Sequence, residues 1–130
     1  MIRVVAFDWG NTLMQVFPGA VGAMVDWPHV AAMPGAQAAL QALAGRFRLV
    51  VATNASDSSA VQVRAALDRV GLGQFFEAVY TVHELGGRKP QPACYDQLAR
   101  SLGVWPDEVC MVGDEFLADV MGATRAGWPA

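Results

Sequence analysis

Three apolar stretches of the sequence run directly into polar side chains that can do chemistry. The polar residues that follow them are Asp8, then Thr53 with Asn54, and then Asp114. Continuous apolar runs are typical of buried parallel strands, and groups at the carboxyl ends of such strands meet at the ligand-binding crevice of the sheet. Asp8 is therefore predicted to be a working carboxylate. An Asp that only caps the next turn is the alternative for this position taken alone.

A lysine and a second acid complete a set suited to phosphate esters. Lys89 lies in the loop 86–90, and Asp119 follows Asp114 by one helical turn. Carboxylates and a backbone carbonyl are ligands that Mg²⁺ prefers, and a lysine can balance phosphate oxygens and keep a nearby carboxylate ionised. The hydroxyl of Thr53 can donate to a phosphoryl oxygen. Taken singly, Thr53 fits a helix cap, Lys89 a solvated charge and Asp119 a first-turn acid favoured by the helix dipole.

The stretches between these residues predict alternating strands and helices. The predicted strands are Ile2–Phe7, Arg46–Ala52, Ala78–Thr81 and Val109–Val112. The predicted helices are one that Pro34-Gly35 opens and Gly45 ends (with Pro34 in its first turn), a helix after Ser58 that ends near Gly71, Pro92–Leu102 and Phe116–Ala126. This alternation indicates an α/β fold, a three-layer Rossmann-like parallel sheet with helices on both faces. The second helix is expected to turn Val61, Ala65, Leu67 and Val70 inward.

Residues 14–33 form an irregular segment that Pro and Gly residues keep from becoming a long helix. We expect a turn of helix and a small hairpin lying over the pocket. The apolar residues expected to pack there are Phe17, Val21, Met24 and Trp27. His29 is expected to be a packing or surface residue, because a catalytic role needs convergent partners.

The composition fits one globular domain over residues 1–130. Hydrophobic residues make up 54% and charged residues 16% of the chain, which argues against disorder. The net charge of -3 gives no signal for nucleic acid. No apolar run is long enough for a membrane span, so the expectation is a cytoplasmic protein. Cys94 and Cys110 are expected to be reduced thiols.

Four stretches that contain these polar residues resemble, in order, the four motifs of the haloacid dehalogenase superfamily, in its phosphatase-like branch. Asp8-Trp9-Gly10-Asn11-Thr12 resembles the first motif, D-x-D-x-T, and Thr53 at the end of an apolar strand resembles the second. Lys89 before a proline resembles the third motif, and the stretch 113–119 resembles the fourth, G-D-x-x-x-x-D. Four motifs in register with predicted strand ends make the resemblance specific.

This resemblance implies a phosphatase that attacks phosphorus with Asp8 and passes through an aspartyl-phosphate. It implies Mg²⁺ as cofactor, and the residues implied for it are Asp8, the carbonyl of Gly10, Asp114 and Asp119. It implies that Thr53, Asn54 and Lys89 bind the phosphoryl group. The substrate expected is a small phosphorylated molecule or a phosphorylated macromolecule.

Gly10 departs from the family pattern, because phosphatases of the family carry a second Asp there as general acid and base. A positioned acid or base is worth about 10²–10⁴ in rate, so slow turnover is expected unless Glu115 or the substrate substitutes. Two alternatives therefore stay open: a low-turnover phosphate- and metal-binding or regulatory module, and a dehalogenase-like hydrolase, whose branch also lacks this Asp. Dehalogenases use no metal, which leaves Asp114 and Asp119 without a cation and favours the metal-dependent interpretation.

The length of the chain implies a core without a cap domain. A neighbouring subunit, a macromolecular substrate or the 14–33 segment would then exclude water from the site. The predicted strand order is 4-1-2-3, and the fifth strand usual in the family is missing. Strand four is therefore expected to be an open edge. Two alternatives stay open: a partner covers this edge, as in a homo-oligomer, or the sequence is a shortened version of a longer protein.

Overall fold

The computed structural model describes residues 1–130 and contains four strands and five short helices. The strands are β1 Val4–Phe7, β2 Arg48–Ala52, β3 Ala78–Tyr80 and β4 Val109–Val112. The helices are α1 Ala36–Ala44, α2 Ala60–Asp68, α3 Val82–Leu85, α4 Pro92–Leu102 and α5 Gly122–Arg125. Three 3₁₀ turns cover Met24–Asp26, Gly73–Phe75 and Pro106–Glu108, and a π-helical turn covers Phe116–Met121. None of these helices is long and apolar enough to cross a membrane.

All four strands are parallel and lie in the order β3-β2-β1-β4. This is the predicted order, and the predicted α/β fold is confirmed. The register aligns Phe7 at the end of β1 with Val51 of β2 and Val112 of β4. The residues that follow these strand ends, Asp8 and Thr53 among them, therefore lie at one edge of the sheet.

Alternate residues of each strand face opposite sides of the sheet and build two cores. Val5 and Phe7 of β1 belong to the core that also holds the buried residues of α1 and α2. Val4 and Ala6 belong to the core under α3, α4 and α5. The central strands β1 and β2 read as nearly continuous apolar runs because both their faces are covered. The edge strands β3 and β4 are only partly buried.

The segment 14–33 has the two features expected of it. Gln15 donates its backbone N–H to Ala31 and Met33 donates to Leu13, each at 2.8 Å, which makes a short antiparallel pairing. The 3₁₀ turn Met24–Asp26 is the predicted turn of helix.

The packing of this segment matches the prediction only in part. Met24 and Trp27 are buried, but Val21 is 85% exposed, so its predicted packing role is wrong. Phe17 is half-buried, with its ring centroid 5.2 Å from that of the exposed His29. His29 is thus a surface packing residue, as expected.

Two helix predictions need correction. In α2 the buried residues are Val63, Ala66 and Leu67, whereas Val61 is 80% exposed. Both sides of this short helix carry aliphatic residues, so the periodicity alone did not fix which side faces the sheet. Helix α1 begins after Gly35, whose φ of 83° is a left-handed conformation that suits glycine, so Pro34 lies before the first turn.

The predicted final helix 116–126 is helical but begins as the π-helical turn Phe116–Met121. A π-turn is wider than an α-turn and is frequent at functional sites. Here it contains the buried Asp119. The short helix α3 was not predicted; Thr81 caps it and bonds with Glu84 in a capping box.

The expected open edge at β4 is partly closed. Met111 donates its backbone N–H to the carbonyl of Pro129 at 2.9 Å, and Val109 donates to Pro106. Trp128 is buried, with its ring centroid 5.0 Å from that of Tyr95 in an edge-to-face arrangement. The expectation of a fully unpaired edge is therefore wrong at Met111.

Candidate active site

The ammonium of Lys89 is the centre of the candidate site. Its Nζ donates to Asp8 Oδ1 at 3.0 Å, to Asp119 Oδ1 at 2.6 Å and to the carbonyl of Ala52 at 2.8 Å. The side chains of Lys89 and Asp119 are almost fully buried, and that of Asp8 is 13% exposed. A buried charge needs partners, and here all three ammonium donors are used. Lys89 thus orients Asp8 from below the pocket.

The backbone of Lys89 is held by one side chain. Asn54 accepts from the N–H of Lys89 through Oδ1 and donates to its carbonyl through Nδ2, both at 2.9 Å. Asn54, predicted to bind substrate, also lines the pocket, but both ends of its amide are already engaged. The visible role of Asn54 is to position Lys89.

Asp119 connects Lys89 to the loop after β4. Its Oδ2 accepts from the N–H of Glu115 at 3.1 Å, so each of its oxygens has a protein donor. The carboxyl lies against Gly113, where an added Cβ would come within 2.1 Å of Asp119 Oδ2. A glycine is required before Asp114 because this carboxyl takes the space of a side chain.

Thr12 links Asp8 to Asp114, a role that the sequence did not predict. Its hydroxyl lies 3.1 Å from Asp114 Oδ1 and 3.4 Å from Asp8 Oδ2. The single hydroxyl hydrogen can serve one of these oxygens at a time. The signal for Thr12 was its place in the first motif, four residues after Asp8.

The surroundings of Asp8 raise its carboxyl pKa from 3.8 to about 6. Burial is the largest cause, and Lys89 opposes it. The hydrogen-bonded contact with Asp114 and the charge of Asp119 raise the pKa further. Lys89 alone therefore compensates for only part of the negative charge gathered here.

The donor set fits a hard divalent cation. Asp8, Asp114 and Asp119 each offer a carboxylate oxygen, and the three oxygens lie within 4.8 Å of one another. All-oxygen sites of this kind suit Mg²⁺. Asp8 and Asp114 line the pocket together with Gly10, whereas Asp119 lies beneath it.

Thr53 lies at the pocket wall as predicted. It is buried, accepts the N–H of Ala55 at 3.0 Å through Oγ1, and donates its own N–H to Tyr80. The hydrogen of the Thr53 hydroxyl group is donated to no protein acceptor. Five of the predicted site residues line one pocket: Asp8, Gly10, Thr53, Asn54 and Asp114. Lys89 bonds with Asp8 at the floor of this pocket, and Asp119 bonds with Lys89.

This pocket has a volume of about 430 Å³, within the usual range for small-molecule sites. One wall comes from the 14–33 segment, whose lining residues are Val16, Ala20, Gly22, Met24 and Trp27. The lining also includes Ala55 and Asp57, which follow β2, and Glu115, which follows β4. The segment 14–33 therefore lies beside the site, as its irregular sequence suggested.

The family follows from comparison with known proteins. The family model described as a haloacid dehalogenase-like hydrolase matches residues 20–127. The chain therefore belongs to the haloacid dehalogenase-like hydrolases, as its four motifs indicated.

Two curated relatives carry phosphatase names. The phosphoglycolate phosphatase of Rhodospirillum rubrum is 44% identical over 97 residues, which are 74% of this chain and 39% of the relative. The glyceraldehyde 3-phosphate phosphatase of Methanopyrus kandleri is 43% identical over 68 residues, 52% of this chain and 29% of the relative. The chain thus aligns with less than half the length of these relatives.

A solved structure extends the likeness over almost the whole chain. An uncharacterized protein from Listeria monocytogenes serotype 4b superposes with a TM-score of 0.89 at 25% identity. The match covers 98% of this chain and 75% of that protein.

Proposed function

We propose that this chain is a Mg²⁺-dependent phosphatase that uses Asp8 as its nucleophile. The observation that carries the proposal is the bond from Lys89 Nζ to Asp8 Oδ1 at 3.0 Å, beside two further carboxylates at the carboxyl end of the sheet. One oxygen of Asp8 is thereby fixed by the ammonium. The other, Oδ2, lies toward Thr12 and Asp114 and is the one we assign to attack.

In the first half-reaction an oxygen of Asp8 attacks phosphorus. A bond forms between that oxygen and phosphorus, the bond from phosphorus to the ester oxygen breaks, and the departing alcohol oxygen takes a proton from water. In the second half-reaction a water oxygen attacks the same phosphorus, the bond to Asp8 breaks, and inorganic phosphate leaves. The attacking water gives a proton to solvent, which replaces the proton that the alcohol took in the first half-reaction. Lys89 and the hydroxyl of Thr53 would offset the charge that develops on the phosphoryl oxygens, with Lys89 exchanging one of its present partners.

Asp8, Asp114 and the carbonyl of Gly10 would hold Mg²⁺, with Asp119 supporting the site from beneath. When bound, Mg²⁺ would reduce the charge repulsion between the phosphoryl group and the carboxylates. Without a carboxyl at Gly10, protonation of the leaving group depends on water, on Glu115 at the pocket wall or on the substrate. We therefore expect turnover to be slow for alcohols that are poor leaving groups.

The phosphatase names of the relatives support this reaction class. The two relatives described above are named for different phosphate esters, so they support hydrolysis of a phosphate monoester without selecting one. A pocket of about 430 Å³ favours a small phosphorylated molecule, or the side chain of a phosphorylated macromolecule.

Hydrolysis of 4-nitrophenyl phosphate with and without Mg²⁺ tests the proposal, because its leaving group needs little help from a general acid. We expect Mg²⁺-dependent release of phosphate that Asp8→Asn abolishes. A variant with the same change at an exposed position, Asp107→Asn, should keep full activity. Hydrolysis that survives Asp8→Asn would overturn the mechanism.

The absence of a carboxyl at Gly10 supports a second candidate, a low-turnover module that binds metal and phosphate. It predicts no hydrolysis but Mg²⁺-dependent binding of inorganic phosphate. A dehalogenase-like hydrolase predicts halide release from a 2-haloacid without any metal. The same preparations can be tested for all three outcomes.

A further inference from the structure

The charged side chains that line the active-site pocket are all negative. Fifteen residues line it, and four of them carry carboxylates: Asp8, Asp57, Asp114 and Glu115. None of the fifteen is a lysine, an arginine or a histidine. The pocket therefore offers no cationic side chain to a second negative group on a substrate.

The buried lysine does not change this balance at the pocket mouth. Lys89 bonds with Asp8 and Asp119, and a divalent cation among Asp8, Asp114 and Asp119 would bring this inner group to neutrality. Asp57 and Glu115 remain uncompensated, because neither forms an ion pair with a basic residue.

The wall formed by the 14–33 segment is mostly apolar. Met24 and Trp27 are buried in the core yet line the pocket, and Val16 and Ala20 lie beside them. The guanidinium of Arg69, which lies near this wall, donates to the carbonyls of Val25 and Trp27. A leaving group that enters the pocket thus meets the aliphatic and aromatic side chains of the 14–33 segment and two carboxylates, Asp57 after β2 and Glu115 after β4.

We infer that the pocket selects phosphate monoesters whose leaving group is uncharged or cationic and partly apolar, and that Asp57 and Glu115 set this selectivity. The inference rests on the proposed function and names its substrate class. A carboxylate or a second phosphate on the leaving group would lie near Asp57 and Glu115 without a counter-charge. Because water in the pocket weakens the repulsion, each carboxylate that repels such a leaving group lowers kcat/KM by roughly threefold to tenfold.

Three aryl phosphates that differ in charge test the selectivity. They are 4-methylphenyl, 4-(aminomethyl)phenyl and 4-(carboxymethyl)phenyl phosphate, whose phenols are similar in acidity and need little general acid. With Mg²⁺ and the unmodified chain, we expect kcat/KM to be highest for the cationic ester. The anionic ester should be slower than the neutral one by about tenfold. The difference should shrink at high salt because the charges are screened.

Two variants assign the effect to the residues named. In Asp57→Asn combined with Glu115→Gln, the ratio of kcat/KM for the neutral ester to that for the anionic ester should fall to within about threefold of unity. The ratio is the readout because a common change in turnover cancels. Asp96→Asn combined with Asp107→Asn also removes two carboxylates, at exposed positions outside the pocket, and should leave the ratio as it was.

The outcomes separate this inference from the proposed function. Equal kcat/KM for the three esters, or a ratio unchanged in the double variant, overturns the selectivity while the phosphatase stands. If the three esters are not hydrolysed, the phosphatase proposal fails only where 4-nitrophenyl phosphate is not hydrolysed either. Calorimetric binding of the three matching benzylphosphonates with Mg²⁺ then decides the selectivity: the same order of affinity supports it, and no order or no binding overturns it.

Discussion

The side-chain amide of Asn54 forms two hydrogen bonds with the backbone of Lys89. The N–H of Lys89 donates to Oδ1 and the carbonyl accepts from Nδ2, each at 2.9 Å. The two residues are far apart in sequence, one following β2 and the other in the loop before α4. The position of the Lys89 ammonium, which orients Asp8 after β1, therefore depends on the amide of Asn54, which follows β2.

Asn54→Ala removes both bonds and should loosen this loop. We expect kcat on 4-nitrophenyl phosphate to fall by about tenfold to 100-fold, because small displacements of catalytic groups are costly, with a smaller change in KM. The free energy of unfolding should fall by about 1–3 kcal/mol, since buried backbone groups lose partners. Gln37→Ala deletes an exposed amide from α1 and should change neither quantity. Unchanged kcat in Asn54→Ala would remove the positioning role.

The sheet could be predicted from the sequence because its strands are short apolar runs, fully buried in β1 and nearly so in β2. Val4–Phe7 and Val109–Val112 are unbroken apolar runs, and each ends at a polar residue or a glycine. The strand order agreed because the family resemblance fixes it. The buried face of α2 could not be predicted in the same way: Val61 and Val63 are equally apolar, and only contact with the sheet decides which is buried.

The candidate site residues could be named from the sequence because each lies beside a strand end or in a motif; their roles in catalysis stay predictions. The roles of Thr12 and Asn54 were not found, since they arise from contacts between segments distant in sequence. The π-helical turn around Asp119 also has no local signature. Its wider turn accompanies a carboxyl that bonds with both Lys89 and the N–H of Glu115.

Gly113→Ala tests the close packing of Asp119. An added Cβ would lie 2.1 Å from Asp119 Oδ2, so the carboxyl must move away from Lys89. We expect a loss of about 1–3 kcal/mol in the free energy of unfolding and a loss of hydrolysis. Gly45→Ala is the matched control, because it has open space and a φ of -82°. Urea unfolding of both variants measures the difference, and equal stability would show that the carboxyl can relocate freely.

The raised pKa of Asp8 predicts how stability depends on pH in the metal-free protein. The folded state holds this proton up to about pH 6, against 3.8 for the ordinary carboxyl. The folded state thus binds more protons than the unfolded state between these values, and its stability falls as the pH rises through them. Relative to Asp8→Asn, the unmodified chain should lose about 1–3 kcal/mol across this interval.

Urea unfolding of the two proteins at several pH values measures this difference. Adding Mg²⁺ above pH 6 should stabilise the unmodified chain more than Asp8→Asn, because a ligand that binds only the folded state raises its stability. A difference between the two proteins that is independent of pH would contradict the assigned pKa of Asp8.

Gly10→Asp tests whether the missing carboxyl limits turnover. The backbone permits the change, since the φ of Gly10 is not positive, but the new Cβ would lie 3.0 Å from Val16 Cγ2. Val16 is 45% exposed and can yield, and pairing the change with Val16→Ala provides room. Because a general acid matters most for poor leaving groups, we expect alkyl phosphates to gain at least about tenfold in kcat, and 4-nitrophenyl phosphate little. Gly10→Asn has the same shape without the acid and should give no gain. If Gly10→Asp lowers the rate on every ester even beside Val16→Ala, the pocket requires glycine for its shape, and slow turnover has another cause.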